Sequence, residues 1–287
     1  VLLKNGIKIK YWGVRGSTPC ANPNNMKYGG NTSCIQIELD GTDELIVADC
    51  GTGFRNLGNE LTSNGHHLQG KIFITHPHWD HLQGFPFFKP FYNSNNAFKV
   101  FMPPQDEAGC KEILQGHLSN TFFPVSIDML ESELDCMTFE KGTLNFESYS
   151  VEYMWANHTV PTAIYKFNIG SHVVIFAPDN ELPIDNEDHS AFLNEFKAFV
   201  KGADVLIHDA QFTREQHKDR LGWGHSDWET VIDVTKDLGI SHLVLTHHDP
   251  DHCDEVLDRI NLEVAEYASD SYQTVGLVKE GQELNLS

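Results

Sequence analysis

Thr75-His76-Pro77-His78-Trp79-Asp80-His81 is the stretch on which the reading of this chain turns. Four side chains able to bind a metal (His76, His78, Asp80 and His81) fall within six residues. The apolar run Ile72-Phe73-Ile74 just before them predicts a short buried strand over residues 71–75. Past its end, in extended or loop geometry, His76 and His78 can point to one side and share an ion. Asp80 and His81 then turn toward a second ion. A hard carboxylate set among imidazoles suits Zn²⁺, Mn²⁺ or Fe²⁺.

Upstream of this stretch the chain reads as short strands. Residues 7–12 and 33–39 alternate, Asp40-Gly41 is a turn signal, and residues 44–48 follow as the return strand of a hairpin. Residues 54–64 carry a helical pattern. Downstream come an aromatic run (Phe85, Phe87, Phe88, Phe91, Tyr92) and a helix over 106–118. Strands are then expected at 151–155, 163–168, 172–177, 205–208, 242–246 and 274–278. Helices are expected at 189–200, 228–238 and 251–267. Hairpins first, then strands alternating with helices, predict a layered α/β body. No internal repeat, linker or phosphate-binding glycine loop interrupts it, so residues 1–287 read as one domain.

The chain has 41 acidic and 20 basic residues and a net charge of −21. Proteins that wrap DNA or RNA rely on Lys and Arg to displace counterions, and an anionic membrane repels such a surface. A long nucleic acid and a membrane are therefore poor partners. A small anion is not excluded, because a metal ion reverses the local field. Histidine is abundant, at 16 residues. The six cysteines are scattered without a Cys-x-x-Cys pair, as in a reducing compartment, and the cytoplasm is the expected location. No apolar run approaches the 18 or so residues of a membrane span. Residues 1–10 are too short and polar for a signal peptide.

The order His-x-His-x-Asp-His resembles the metal motif of the metallo-β-lactamase superfamily, and the similarity covers nearly the whole chain. Within it the chain is similar to the ribonuclease Z-like and cyclic-nucleotide phosphodiesterase branch. The phrases that carry this are Gly13-Val14-Arg15-Gly16-Ser17-Thr18-Pro19, Tyr28-Gly29-Gly30-Asn31-Thr32-Ser33 and Leu245-Thr246-His247-His248-Asp249-Pro250. The resemblance implies a four-layered αββα sandwich with two divalent ions at one edge, zinc first, manganese or iron as alternatives. It also implies further ligands. His158 matches the third histidine of the first metal. Asp179 matches the bridging aspartate, with Pro178 standing where the family more often has glycine. His247 matches the last ligand, on the second metal; neighbouring His248 is the alternative, since only one of two adjacent residues should coordinate. Asp49 matches an aspartate that orients a ligand histidine.

Two more segments bear on chemistry. Leu206-Ile207-His208-Asp209-Ala210-Gln211 resembles the His-Glu-Ala-Thr segment of ribonuclease Z, with Asp209 in place of Glu. Gly224-His225-Ser226-Asp227-Trp228-Glu229 resembles the His-Ser-Thr segment that follows it. Carried over, His225 stabilises charge on phosphorus or protonates the leaving oxygen, and Asp209 holds its tautomer. Ser226 or Asp227 is expected to cap the following helix, with Ser226 and Glu229 spaced for a capping box. The remaining histidines, His217 and His252 among them, and the acidic stretches 179–188 and 249–258 read as solvated loops and helix faces, apart from Asp179 itself.

Two ions about 3.5–4 Å apart can clamp a phosphodiester and activate a hydroxide that Asp80 orients. With the charge of −21, the first expectation is a phosphodiesterase acting on a small substrate, a 3′,5′-cyclic nucleotide, to give a 5′-monophosphate. The alternatives are tRNA 3′-end processing and hydrolysis of another small cyclic phosphate or ester. Ribonuclease Z relatives usually carry a basic, Gly-rich arm, looked for here between Asp179 and Asp209; that stretch is short and acidic. An intact ligand set speaks against a non-catalytic metal binder. Relatives in this branch are often homodimers, so a dimer is expected.

Overall fold

The computed structural model describes residues 6–62, 67–106, 108–184 and 190–287. Asn64, His66 and residues 185–189, each part of an expectation above, lie outside them. The chain divides into two compact units, each built on one seven-stranded mixed sheet.

The first unit takes the described residues of Val1–Pro19, Gly30–Glu140 and Glu280–Ser287. Its strands are β1 (Ile7–Gly13), β2 (Cys34–Leu39), β3 (Leu45–Ala48), β4 (Gln69–Phe73), β5 (Ala97–Met102), β6 (Glu133–Thr138) and β14 (Glu283–Leu286). They lie in the order β14-β1-β2-β3-β4-β5-β6. The hairpin expected at Asp40-Gly41 is β2–β3, antiparallel, with Ile35 opposite Ala48 and Ile37 opposite Ile46. Pairing turns parallel from β3 to β6. β3 is buried at all four positions, as strands covered on both faces are, and so shows no alternation.

Helix α1 (Gly53–Thr62) buries Phe54 and Leu57 on one face. The aromatic run after the metal motif divides by spacing. Residues 85–87 and 89–92 form 3₁₀ turns, in which positions three apart share a face. Phe85, Phe88 and Phe91 are therefore all in the core, while Phe87 and Tyr92 are exposed. Phe54 stacks on Phe88 with centroids 3.9 Å apart and planes at 9°. Two further helices are α2 (Trp79–Leu82), which carries the second half of the metal motif, and α3 (Cys110–His117).

The second unit takes the described residues of Cys20–Gly29 and Lys141–Lys279. Its strands are β7 (Thr143–Asn145), β8 (Tyr149–Trp155), β9 (Ala163–Ile169), β10 (His172–Ala177), β11 (Val205–Asp209), β12 (His242–Thr246) and β13 (Thr274–Leu277), in the order β13-β12-β11-β10-β9-β8-β7. From β10 to β13 they are parallel. Helices α4 (Ser190–Val200), α5 (Arg214–Lys218), α6 (Trp228–Thr235) and α7 (Asp254–Ala268) complete it. Ile175, Leu206 and Leu243 of the strands pack with Phe196, Val231, Leu257 and Val264 of the helices. Among the described residues no helix is long and apolar enough to cross a membrane.

The elements not expected were β5, β6, β7, β14, α2 and α5. β6 and β7 are mostly exposed edge strands of polar composition, so burial left little pattern in them. The expected helix cap is Asp227, whose side chain accepts from Thr230 N at 2.7 Å. Ser226 is instead spent on Asn180 O and Leu182 N, so the Ser226–Glu229 box does not form.

In both units most site residues lie at or beyond the carboxyl ends of parallel strands, where open α/β sheets place ligands, while His158 follows antiparallel β8 and His225 precedes α6. Asp49 follows β3, the metal motif follows β4, Asp179 follows β10, Asp209 ends β11 and His247 follows β12. The turn after β3 presses on the motif. Cys50 N donates to His81 O at 2.8 Å, Cys50 O accepts from Gly84 N at 2.8 Å, and a Cβ on Gly51 would collide with Asp80 O. Gly51→Ala should therefore destabilise the chain by about 1–3 kcal/mol, read by urea denaturation, because backbone must shift to admit the methyl group. An unchanged midpoint would contradict this.

Candidate metal centre

In the first unit, Asp49 adopts φ +63°, in the left-handed region, at a cost of order 1–3 kcal/mol for a residue other than glycine. Its buried carboxylate organises the motif. Oδ1 accepts from Thr75 N at 2.8 Å and Thr75 Oγ1 at 2.9 Å. Oδ2 accepts from Ser33 Oγ at 2.8 Å and His81 Nδ1 at 2.6 Å. With Nδ1 donating, His81 keeps the Nε2 lone pair available to a metal ion. That Nε2 stands 3.3 Å from Asp80 Oδ2. Asp80 Oδ2 also accepts from Ser17 N at 2.7 Å. His78 caps α2 in extended conformation, which separates His76 and His78 from Asp80 and His81 in the first helical turn. The His76 ring lies 4.4 Å from that of His78 and 4.2 Å from that of His81.

In the second unit the centre is Asp179, 2% exposed. Three imidazoles surround it. His247 Nε2 is 3.3 Å from Oδ1; His158 Nε2 is 3.7 Å and His225 Nδ1 3.8 Å from Oδ2. His247 reaches this place from φ +63°. His248 turns away and donates Nε2–H to Val278 O at 2.8 Å, so it is His247 that stands beside Asp179. His158 donates Nδ1–H to Gly224 O at 2.9 Å, which leaves Nε2 toward Asp179. Gly224 has φ +86°, and a Cβ there would strike the His158 ring.

His225 donates Nδ1–H to Asp209 Oδ2 at 2.8 Å. Asp209 is fixed in turn by Gln211 N on Oδ1 at 2.9 Å and Asn180 N on Oδ2 at 3.3 Å. This tautomer leaves His225 Nε2 for chemistry. Its ring stacks on His247, centroids 4.9 Å apart.

The donor chemistry of both sets fits divalent cations. Burying an anionic carboxylate is costly unless positive charge compensates it, and imidazoles converging on such a carboxylate are what Zn²⁺ and its neighbours take. The hydrogen bonds from Nδ1 to Asp49 and to Gly224 O are the orienting contacts that metal-binding histidines need.

Sequence reasoning missed the residues that hold these groups in place. Ser17 carries no ionisable group to single it out, yet its N–H fixes Asp80. Glu181 and His217, expected on solvated surface, are buried. Glu181 accepts from Gly222 N at 2.8 Å and Gly224 N at 2.7 Å, fastening the loop that carries His225. His217 Nδ1 meets Asp227 Oδ2 at 2.7 Å and its Nε2 meets Glu181 Oε1 at 3.4 Å. Burial opposes the charged imidazole, but the two carboxylates outweigh it and hold the His217 pKa up at about 9. Their own pKa values are depressed, against burial, by the same contacts. Each partner lies far off in sequence, so no local signal announces the pairing.

Residues 45–248 match the family model described as the beta-lactamase superfamily domain. Ribonuclease Z of Streptococcus suis (strain 98HAH33) is 24% identical over 302 residues, spanning 89% of this chain and 94% of the relative. The metallo-beta-lactamase fold protein YhfI from Bacillus subtilis superposes with a TM-score of 0.72 at 17% identity, over 98% of this chain and 100% of the other. A diphosphatase from the PhnP family superposes with a TM-score of 0.67 at 15% identity, over 98% and 97%.

The His217 contacts predict a pH dependence. Its folded pKa is raised above the ordinary value near 6.5, so its contribution to stability is full below that pH and is lost as pH rises through about 9. The denaturation midpoint should fall between pH 7 and 10, and His217→Gln should be less stable at pH 7 with a flatter fall. Equal slopes for the two proteins would contradict the pairing.

Proposed function

Because this chain belongs to the metallo-β-lactamase superfamily, in its ribonuclease Z-like branch, and is a metal-dependent hydrolase, we propose that it cleaves a small phosphodiester. The substrate put first is a 3′,5′-cyclic nucleotide, opened to a 5′-monophosphate. One observation carries the reading: His225, its tautomer set by Asp209, stands 3.8 Å from the central carboxylate Asp179. A proton donor there serves the charge and leaving oxygen of a phosphate ester.

His76, His78 and His158 would hold one ion and Asp80, His81 and His247 the other, with Asp179 shared. When bound, the two ions supply Lewis acidity, water activation near neutral pH and neutralisation of phosphate charge. Asp80, anchored by Ser17 N–H, accepts a hydrogen bond from the attacking water and aims it at phosphorus. Asp49 keeps His81 in the tautomer that ligates through Nε2. With Nδ1–H held by Asp209, the protonated His225 ring meets the charge that builds on the phosphoryl oxygens, gives its Nε2 proton to the departing oxygen and is left as the neutral Nδ1–H tautomer. Zinc is the first choice of metal, with manganese and iron next. The protein would work in the cytoplasm, as a homodimer, with residues 1–287 acting as one domain.

A second reading, tRNA 3′-end processing, is favoured by the ribonuclease Z relative that spans 89% of this chain. Two features weigh toward the small substrate. The chain carries −21, which a polyanion meets unfavourably. Among the described residues, the stretch from Asp179 to Asp209 holds α4 and β11, in place of the basic arm expected of tRNA processing.

Metal-loaded protein should convert cAMP, cGMP, cCMP or cUMP to the 5′-monophosphate and leave 3′-extended precursor tRNA intact. Asp80→Ala should abolish turnover. His225→Ala should lower kcat about 10²–10⁴-fold with the metal content unchanged. Cleavage of precursor tRNA without any cyclic-nucleotide product would overturn the substrate, and loss of metal from His225→Ala would overturn the role of His225.

A further inference from the structure

The first unit contains a cavity of about 450 Å³ that the proposed chemistry does not use. Trp79, Leu82, Gln83, Phe87, Phe122 and Phe123 line it. Trp79 is the residue between His78 and Asp80, so its Cα is one residue step, about 3.8 Å, from that of each. Pro77 and Trp79 of the metal motif thus form part of the cavity wall.

Its walls are unusual for a surface. Trp79 is 73% exposed, Phe87 48% and Phe122 80%. Large apolar groups gathered at one exposed hollow mark a binding place, and the volume lies in the range of about 300–1,000 Å³ typical of small-molecule pockets. Phe87 and Phe123 brace each other edge to face, centroids 5.3 Å apart and planes at 79°, which gives the hollow a fixed aromatic wall. No lining residue is an acid, a lysine or an arginine, and burial holds the pKa of His117, also in the lining, below the ordinary histidine value. A phosphate therefore finds no partner inside.

We infer that this cavity is the subsite for the planar heteroaromatic part of the substrate, a ring that stacks on Trp79 and the phenylalanines. The inference rests on the phosphodiester reading for where the phosphate goes, and it deepens that reading by naming the group that selects the substrate. A nucleobase meets each requirement: a flat π-face for stacking, no charge to bury against an apolar wall, and a sugar-length tether to the phosphate.

The test compares three ligands on the metal-loaded protein by calorimetry and saturation-transfer NMR: 5′-AMP, ribose 5-phosphate and adenosine. 5′-AMP should bind at least about tenfold more tightly than ribose 5-phosphate. Trp79→Leu and Phe122→Ala should each cut 5′-AMP affinity about tenfold and leave ribose 5-phosphate within about twofold. Adenosine resonances should be saturated in the native protein and lose this in Phe122→Ala. Equal affinity for the two phosphates, or variants that weaken both alike, would overturn the subsite and leave the phosphodiester reading standing. Saturation of adenosine that Phe122→Ala removes, with neither phosphate bound, would uphold the subsite and overturn the phosphodiester reading. Variants that shift the sedimentation of the protein without changing the preference for 5′-AMP would overturn the subsite and assign the surface to contact between copies of the chain.

Discussion

The carboxylate of Asp179, 2% exposed and ringed by three imidazoles at 3.3 to 3.8 Å, is the constraint on which the second unit is organised. An anion in such a place is costly unless positive charge lies against it, and imidazole nitrogens turned toward it need a partner for their lone pairs. A divalent cation satisfies both demands at once. The surrounding backbone follows from the need to bring those imidazoles in. They come from the loops after β8 and β12 and from the segment before α6, and each arrives at the end of an element whose other face is locked in the core.

The same logic explains where the structure tolerates strain. Asp49 and His247 both adopt φ +63°, conformations that cost of order 1–3 kcal/mol each for residues with a Cβ. Both sit one step past a buried strand, where the sheet fixes the backbone on one side. Asp49 recovers part of the cost through four hydrogen-bond donors on its carboxylate. In the loop before α6, Glu181 gathers Gly222 N and Gly224 N, and the His217 imidazolium binds Glu181 to Asp227. His158 and His225 are thereby held by contacts from outside their own loops.

The metal motif was legible because its four metal-competent side chains fall within six residues and follow a buried strand. The strands over 33–39, 172–177 and 242–246 were legible because alternation or a short apolar run reports burial directly. His158, Asp179 and His247 are isolated in sequence and could be picked out only through the resemblance of the phrases around them. Ser17, Glu181 and His217 left no trace, since each acts through a partner distant in sequence and none belongs to a periodic pattern. The cap of α6 was narrowed to two residues, and the fold chose between them by drawing Ser226 to Asn180 O and Leu182 N. The aromatic run 85–92 was ambiguous until 3₁₀ geometry showed which rings share the core face. The cavity beside Trp79 joins it to Phe122 and Phe123, from a part of the chain with little periodicity.

The most direct test is the metal content of the chain, measured by elemental mass spectrometry after loading and removal of free ions. Two divalent ions per chain are expected, falling to one or none in Asp179→Asn. A native chain that holds none, or an Asp179→Asn variant that keeps both ions at unchanged affinity, would contradict that expectation.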